Sequence, residues 1–255
     1  MDLTPLILTE GCKASACGRV VTAGDEVWFD PPLPVPLIGY APGHEPAPRP
    51  SGLGIRVDGV DLGRLDQRRE KEGAVEGWTC LTGIWRDERL TVMEQRQRVA
   101  IRPQNPARQW TVPPCDPPAG GWPAGGTDEN IDVEAELRGS EVVTVTMFRP
   151  SARQVIAVVA SDDPELTRHR LAPALGERLC VIESAWPGQQ LRHIRAYLDA
   201  HQQEWLFYTW GEGADERGQL QFSIELVRVV PSFAEFAAEL PDGLLLVDPW
   251  LSPAG

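Results

Sequence analysis

The chain has 255 residues, of which 37 are acidic and 24 basic, giving a net charge of −13. That length accommodates two domains with substantial cores. The acidic balance argues against a general phosphate-backbone binder, because no basic stripe offsets it and the densest basic run, Arg68-Arg69-Glu70-Lys71, is interrupted by an acid.

The charge is uneven. Residues 1–100 hold 15 acidic and 12 basic side chains, and residues 127–255 hold 21 and 10. Arginine outnumbers lysine 22 to 2, so Schiff-base and P-loop lysine chemistry has almost no candidates. The opening MDLTPLILTE lacks the basic and long apolar regions of a signal peptide. No apolar run approaches the roughly 18–20 residues of a membrane span. The five cysteines (Cys12, Cys17, Cys80, Cys115 and Cys180) are odd in number and scattered, unlike a disulfide framework. A reduced, cytoplasmic chain with no membrane association is expected.

Residues 1–101 read as a small β-barrel of OB-like order. Alternation and turn signals predict strands over 16–22 and 26–29, joined by Ala23-Gly24-Asp25. Residues 30–53 hold eight prolines and form an irregular arm. A strand is predicted over 54–60. A helix follows over 62–72, with Asp61 as N-cap and Gly73 as C-cap. A closing hairpin is predicted over 77–94, around Arg86-Asp87-Glu88. In its first strand Trp78, Cys80, Thr82 and Ile84 share one face, and Leu81 and Trp85 share the other.

Residues 102–126 hold seven prolines and two tryptophans, with no hydrophobic periodicity. Such a run forms neither a helix nor a central strand. It divides the chain, yet it is too stiff and apolar for a flexible tether. Trp110 and Trp122 are its candidate partner contacts, because a proline-ordered segment carrying tryptophan suits a groove.

Residues 127–255 read as a ferredoxin-like α/β sandwich with an added hairpin, making the whole chain α+β. Strands are predicted over 141–148 and 154–160, then a helix over 161–175 opened by Ser161-Asp162-Asp163-Pro164. From residue 178 the expected order is β-α-β-β-α-β. Its helices cover 189–203 and 233–240, the second capped by Ser232, and its last strand covers 243–247.

The candidates for chemistry are sparse. Cys12-x4-Cys17 supplies two potential metal ligands where a structural zinc needs about four. His169, His193 and His201 lie on predicted helices without a carboxylate partner. Asp162 and Asp163 sit at a strand end, but helix capping accounts for both. Gly211–Gly218 (GEGADERG) joins two strands and is acidic, which fails the context of a dinucleotide loop. The C-terminal aromatics Trp186, Trp205, Phe207, Tyr208, Trp210 and Trp250 read mostly as core. No catalytic residue, metal site or cofactor is implied.

The phrases VEGWTCLTGIWRDERLTV (residues 75–92), VPPCDPPAGGWP (112–123) and LPDGLLLVDPWLSP (240–253) resemble segments of uncharacterised two-domain proteins of high-GC bacteria. That resemblance implies a bacterial cytoplasmic origin and carries over no functional residue. The expected function is a non-enzymatic interaction or assembly protein that holds a protein partner or a second copy of itself, with no nucleic acid. The alternative is small-molecule binding or hydrolysis in a cleft between the two domains.

Overall fold

Inside–outside alternation organises the central N-terminal strands, most regularly the one over Ala74–Arg86. The computed structural model describes residues 1–33, 44–97, 110–125 and 141–254. Residues 34–43 of the proline-rich arm, and both ends of the 102–126 segment, therefore lie outside the described residues. The fold is mixed α+β, in two units. The first combines residues 1–102, 202–210 and 224–255, and the second 103–201 and 211–223. The expected division near 102–126 is where the chain first leaves the first unit. The chain then returns to that unit twice.

In the first unit the strands are β1 (Lys13–Ala23), β2 (Glu26–Asp30), β3 (Ile55–Asp58), β4 (Asp66–Lys71), β5 (Ala74–Arg86) and β6 (Arg89–Arg96). Along β5 every second residue is buried, which puts Leu81 and Trp85 inside and Trp78 and Cys80 on the half-exposed face. β1 pairs antiparallel with β2, and β2 with β3. β3 runs parallel to β6, β6 antiparallel to β5, and β5 antiparallel to β1. These pairings form a ring that returns to its starting strand. Val20, Phe29, Val57, Leu81 and Leu90 fill it, with Trp250 and Leu251 from the chain's return.

Two glycines permit close approach inside this ring. A Cβ at Gly18 would run into the Asp30 carbonyl and the Trp250 ring, and one at Gly83 into the Thr91 carbonyl. Trp250 completes the contact: its ring centroid lies 4.8 Å from that of Phe29, and its indole N–H donates to the Cys17 carbonyl at 2.8 Å.

The predicted helix over 62–72 is not formed. Asp61 does cap a turn, accepting from the Gly63 N–H at 2.9 Å, but that turn is a single 3-10 turn, Leu62–Arg64. Residues 66–71 instead form β4, paired with β5. Glu72 and Gly73, both at positive φ (55° and 79°), make the tight turn between them. The charged DQRREK run suits a solvated strand beside β5, and it has no apolar stripe with which a helix could pack. Tertiary pairing decides against helical composition here.

In the second unit β7 (Val142–Ser151) pairs antiparallel with β8 (Gln154–Ser161), and β8 parallel with β9 (Leu179–Glu183). Helix α1 (Pro164–Leu175) connects β8 to β9 and packs Leu171 and Leu175 against Ala157 and Val159. β8 is buried from Ile156 to Ser161, as the central strand of a covered sheet requires. Helix α2 (Gly188–His201) follows and buries Leu191, Ile194 and Leu198.

β10 (Phe207–Ala214), β11 (Leu220–Leu226), α3 (Pro231–Glu239) and β12 (Leu245–Pro249) complete the series, and a last short strand, β13 (Ser252–Pro253), pairs with β1. The order β-α-β-β-α-β from β9 onward is the expected one. Its strands, however, belong to two sheets: β9 lies with β7 and β8, and β10-β11-β12 form their own. Ser232 does not cap α3. The N-cap is Val230, without a side-chain cap, and the Ser232 hydroxyl accepts from the Trp205 indole at 3.1 Å. Trp205 is buried among Phe207, Phe233 and Phe236, with centroids 5.0–5.8 Å away, so it belongs to the core of the first unit.

Candidate functional site

Strand alternation that buries Phe29, Ile55 and Val57 turns Trp28 and Arg56 to the other face of the ring. The two are opposite each other in the β2–β3 register, and the Arg56 guanidinium lies 5.3 Å from the Trp28 ring. A cleft of about 390 Å³ runs from there to the β5–β6 turn, bounded by Gly52–Arg56, Trp85, Asp87–Arg89 and Arg228. A second depression of about 200 Å³ shares Arg56 and Arg89 and adds Asp25 from the β1–β2 turn, Glu26 from β2 and Asp58 from β3. Arg228 sits 5.5 Å from the buried Trp85 ring, so each of the two tryptophans is faced by an arginine.

Each arginine along this groove has a carboxylate partner, and Asp25 and Asp87 add two further acids. Arg56 pairs with Glu26 at 2.8 Å, Arg89 with Asp58 at 3.2 Å and Arg228 with Glu88 at 3.0 Å. Pairs this exposed add little stability. They do cancel the field that a polyanion would need. The groove offers the half-buried Trp28 ring and paired charges, with Trp85 buried beneath Arg228, and no net positive channel.

A second cluster lies on β10, β11 and β12, where Tyr208, Glu225 and Asp248 are all half-buried. Burial raises the Asp248 carboxyl above its ordinary range. Burial, with the Asp248 charge added, raises Glu225. Burial and the two carboxylates together raise the Tyr208 phenol. Raised acids of this kind mark functional sites as well as structural ones.

The residues singled out in the sequence are placed as follows. Trp110 and Trp122 are half-buried and pack, with Cys115, on Phe148, Ile156, Val158 and Cys180 of the second unit. Trp110 stacks at 6.5 Å on Phe148, and its indole donates to the Ala214 carbonyl at 3.1 Å. Asp163 caps α1, accepting from the Leu166 N–H at 3.0 Å. Asp162 serves the next helix instead, accepting from Gly188 N–H at the start of α2 at 3.0 Å. His169 lines a shallow depression on α1 with Glu165 and Arg168. His193 is exposed on α2, and His201 stacks on Tyr197 at 4.1 Å. The structure does not bring these histidines together. Gly211–Gly218 forms the end of β10 and a hairpin turn in which the Asp215 carboxylate accepts from the Arg217 and Gln219 N–H groups at 2.8 and 2.9 Å.

The cysteines overturn the expectation of five unlinked thiols. Cys17 bonds to Cys80 and Cys115 to Cys180, leaving Cys12 free. Partners 63 and 65 residues apart meet only once β1 has paired with β5 and residues 110–125 have docked on β9, and spacing along the sequence carries no trace of either event. Among the described residues no group of three or more His, Cys, Asp or Glu could hold a metal, and no helix is long and apolar enough to cross a membrane. The Trp28–Arg56 and Trp85–Arg228 pairs were missed, although β2 and β5 were predicted, because the groove depends on which strands become neighbours.

Comparison with protein-family models, with curated proteins and with solved structures returns no match.

Proposed function

We propose that the chain is a non-enzymatic binding protein that holds a protein partner along the groove of β2, β3 and the β5–β6 turn. The observation that carries this reading is the pair of tryptophans, each faced by an arginine, bordering one cleft. Tryptophan and arginine dominate the energetics of protein interfaces, because they combine large contact area with directional donors. The strand ring β1-β2-β3-β6-β5 supports reading the first unit as an OB-type barrel. Such barrels bind ligands on the face of their second and third strands and the flanking loops, which is where this groove lies. The matched ion pairs favour a protein over a nucleic acid. A ferredoxin-like second half has element order in its favour and the two-sheet pairing against it.

The resemblance to two-domain proteins of high-GC bacteria, with a cytoplasmic location, belongs to the same proposal. Disulfides in that compartment are commonly transient or redox-sensing. Trp110 and Trp122 are the second proposed partner contact. The test is recovery of partners from an extract of the native cell by wild type, by Trp28→Ala/Arg228→Ala and by Trp110→Ala/Trp122→Ala. The groove reading expects Trp28→Ala/Arg228→Ala to lose a partner that wild type retains, whereas a partner lost only by Trp110→Ala/Trp122→Ala would place the contact on that segment instead. Equal recovery by all three overturns it.

Tyr208, Glu225 and Asp248 support a second reading, acid–base catalysis on a small molecule. That reading expects a hydrolytic activity lost in Glu225→Gln, and no such activity in a broad ester, amide and phosphoester screen sinks it.

A further inference from the structure

We propose that the Cys115–Cys180 bond is a site of thiol–disulfide exchange that acts as a clasp. The bond keeps residues 110–125 on the β7-β8-β9 sheet, and reduction by a dithiol releases them. The inference is independent of the groove and of the partner it holds.

Residues 110–125 contain five prolines, each without an N–H donor, and form no helix or strand beyond a single bridge from Gly125 to Gln154. Their order must come from what they dock on. Hydrogen bonds to the sheet lie near the two ends of the segment. The Trp110 carbonyl accepts from Arg149 N–H at 2.7 Å. The Trp122 carbonyl accepts from the Gln154 side chain at 2.6 Å, and Gly125 N–H donates to the Arg153 carbonyl at 2.8 Å. Between them Cys115 is the covalent attachment, to Cys180 on β9. The tryptophans on either side cover Phe148 and Ile156. Cutting one bond therefore leaves the middle of the segment, between Trp110 and Trp122, without a covalent tie, while the hydrogen bonds at its ends and the stacking of Trp110 on Phe148 remain.

The chemistry balances with a dithiol as reductant. Its thiolate attacks the sulfur of half-buried Cys115 in preference to that of Cys180, a residue only 1% exposed. The S–S bond breaks, and Cys180 departs as a thiolate and takes a proton. The second thiolate of the reductant then attacks the mixed disulfide and expels Cys115, which is protonated in turn. The reductant leaves as a disulfide, having delivered two electrons. The Cys17–Cys80 bond lacks this consequence: its residues face each other in the β1–β5 register, so the strand ladder holds them together whether or not the sulfurs are joined.

The experiment is amide hydrogen exchange on the full chain, oxidised and with dithiothreitol, together with Cys115→Ala without reductant. The expected result is that Arg149 and Gly125 amides exchange at least tenfold faster on reduction, which corresponds to about 1.4 kcal/mol. Cys115→Ala should reproduce that change while amides of β1 and β5 stay protected. Two results overturn the proposal. One is unchanged exchange at Arg149 and Gly125 under both treatments. The other is simultaneous loss of protection along β8, which would make the bond a support of the whole sheet.

Discussion

The two disulfides do unlike jobs, and the difference lies in what surrounds each bond. Cys17–Cys80 joins strands that already share nine consecutive paired positions, from Lys13–Ile84 to Val21–Glu76. Cys115–Cys180 joins a proline-rich segment with almost no backbone ladder to a strand it covers. After reduction the first pair of thiols stays apposed, at a high effective concentration that favours re-formation. The second pair can separate. A cross-link therefore matters most for local order where hydrogen bonds are fewest, and it matters mainly for the unfolded chain where they are many.

The largest effect that would sharpen this contrast comes from the ring itself. Phe29 is fully buried beside Trp250, so Phe29→Ala should cost the first unit about 3–5 kcal/mol in urea unfolding. Exchange protection of β8 should remain. A smaller global effect is expected from Cys17→Ala/Cys80→Ala. That change should lower the stability of the first unit by about 2–4 kcal/mol through loop entropy. The β1–β5 amides should stay protected under native conditions, and their loss would remove the basis of the comparison. Next, Trp110→Ala/Trp122→Ala should weaken the docking of residues 110–125 by about 1–2 kcal/mol. Proteolysis confined to that segment would report it.

The smallest effect concerns Glu225 and Asp248, whose carboxyls are raised in the folded protein from ordinary values of 4.5 and 3.8. A raised acid favours the fold while protonated, so its contribution is present below the ordinary range and is lost as pH rises through the folded values. Glu225→Gln and Asp248→Asn remove that loss. The thermal midpoint at pH 7 should rise by about 1–2 °C, with no difference from wild type at pH 3.5. Equal shifts at both pH values would show that the titration is not the cause.

Much of the local structure was legible in the residues. The alternation of β5, the β5–β6 hairpin, the capped start of α1 and the buried run of β8 each carry a period or a cap that short-range physics enforces. The stretch 66–71 was not legible, because its charged residues fit either a helix or a strand, and the Glu72-Gly73 turn onto β5 decides between them. Nor was the return of residues 224–255 to the first unit. Hydrophobic pattern says that Phe233 and Trp250 are buried, but not against which partner. The groove and both disulfides share that blindness, since each arises from strands or segments far apart in sequence. The Trp/Pro segment was legible as stiff and sticky. What it sticks to, Phe148 and Ile156, was not.

The most direct test of the difference between ladder and clasp is graded reduction of the folded chain by dithiothreitol. Isotope-coded alkylation then follows, with each cysteine quantified by peptide mass. Labelling of Cys115 and Cys180 should be half complete at a dithiothreitol concentration at least tenfold below that needed for Cys17 and Cys80, equivalent to about 1.4 kcal/mol. Simultaneous labelling of all four, or earlier labelling of Cys17 and Cys80, would contradict the account.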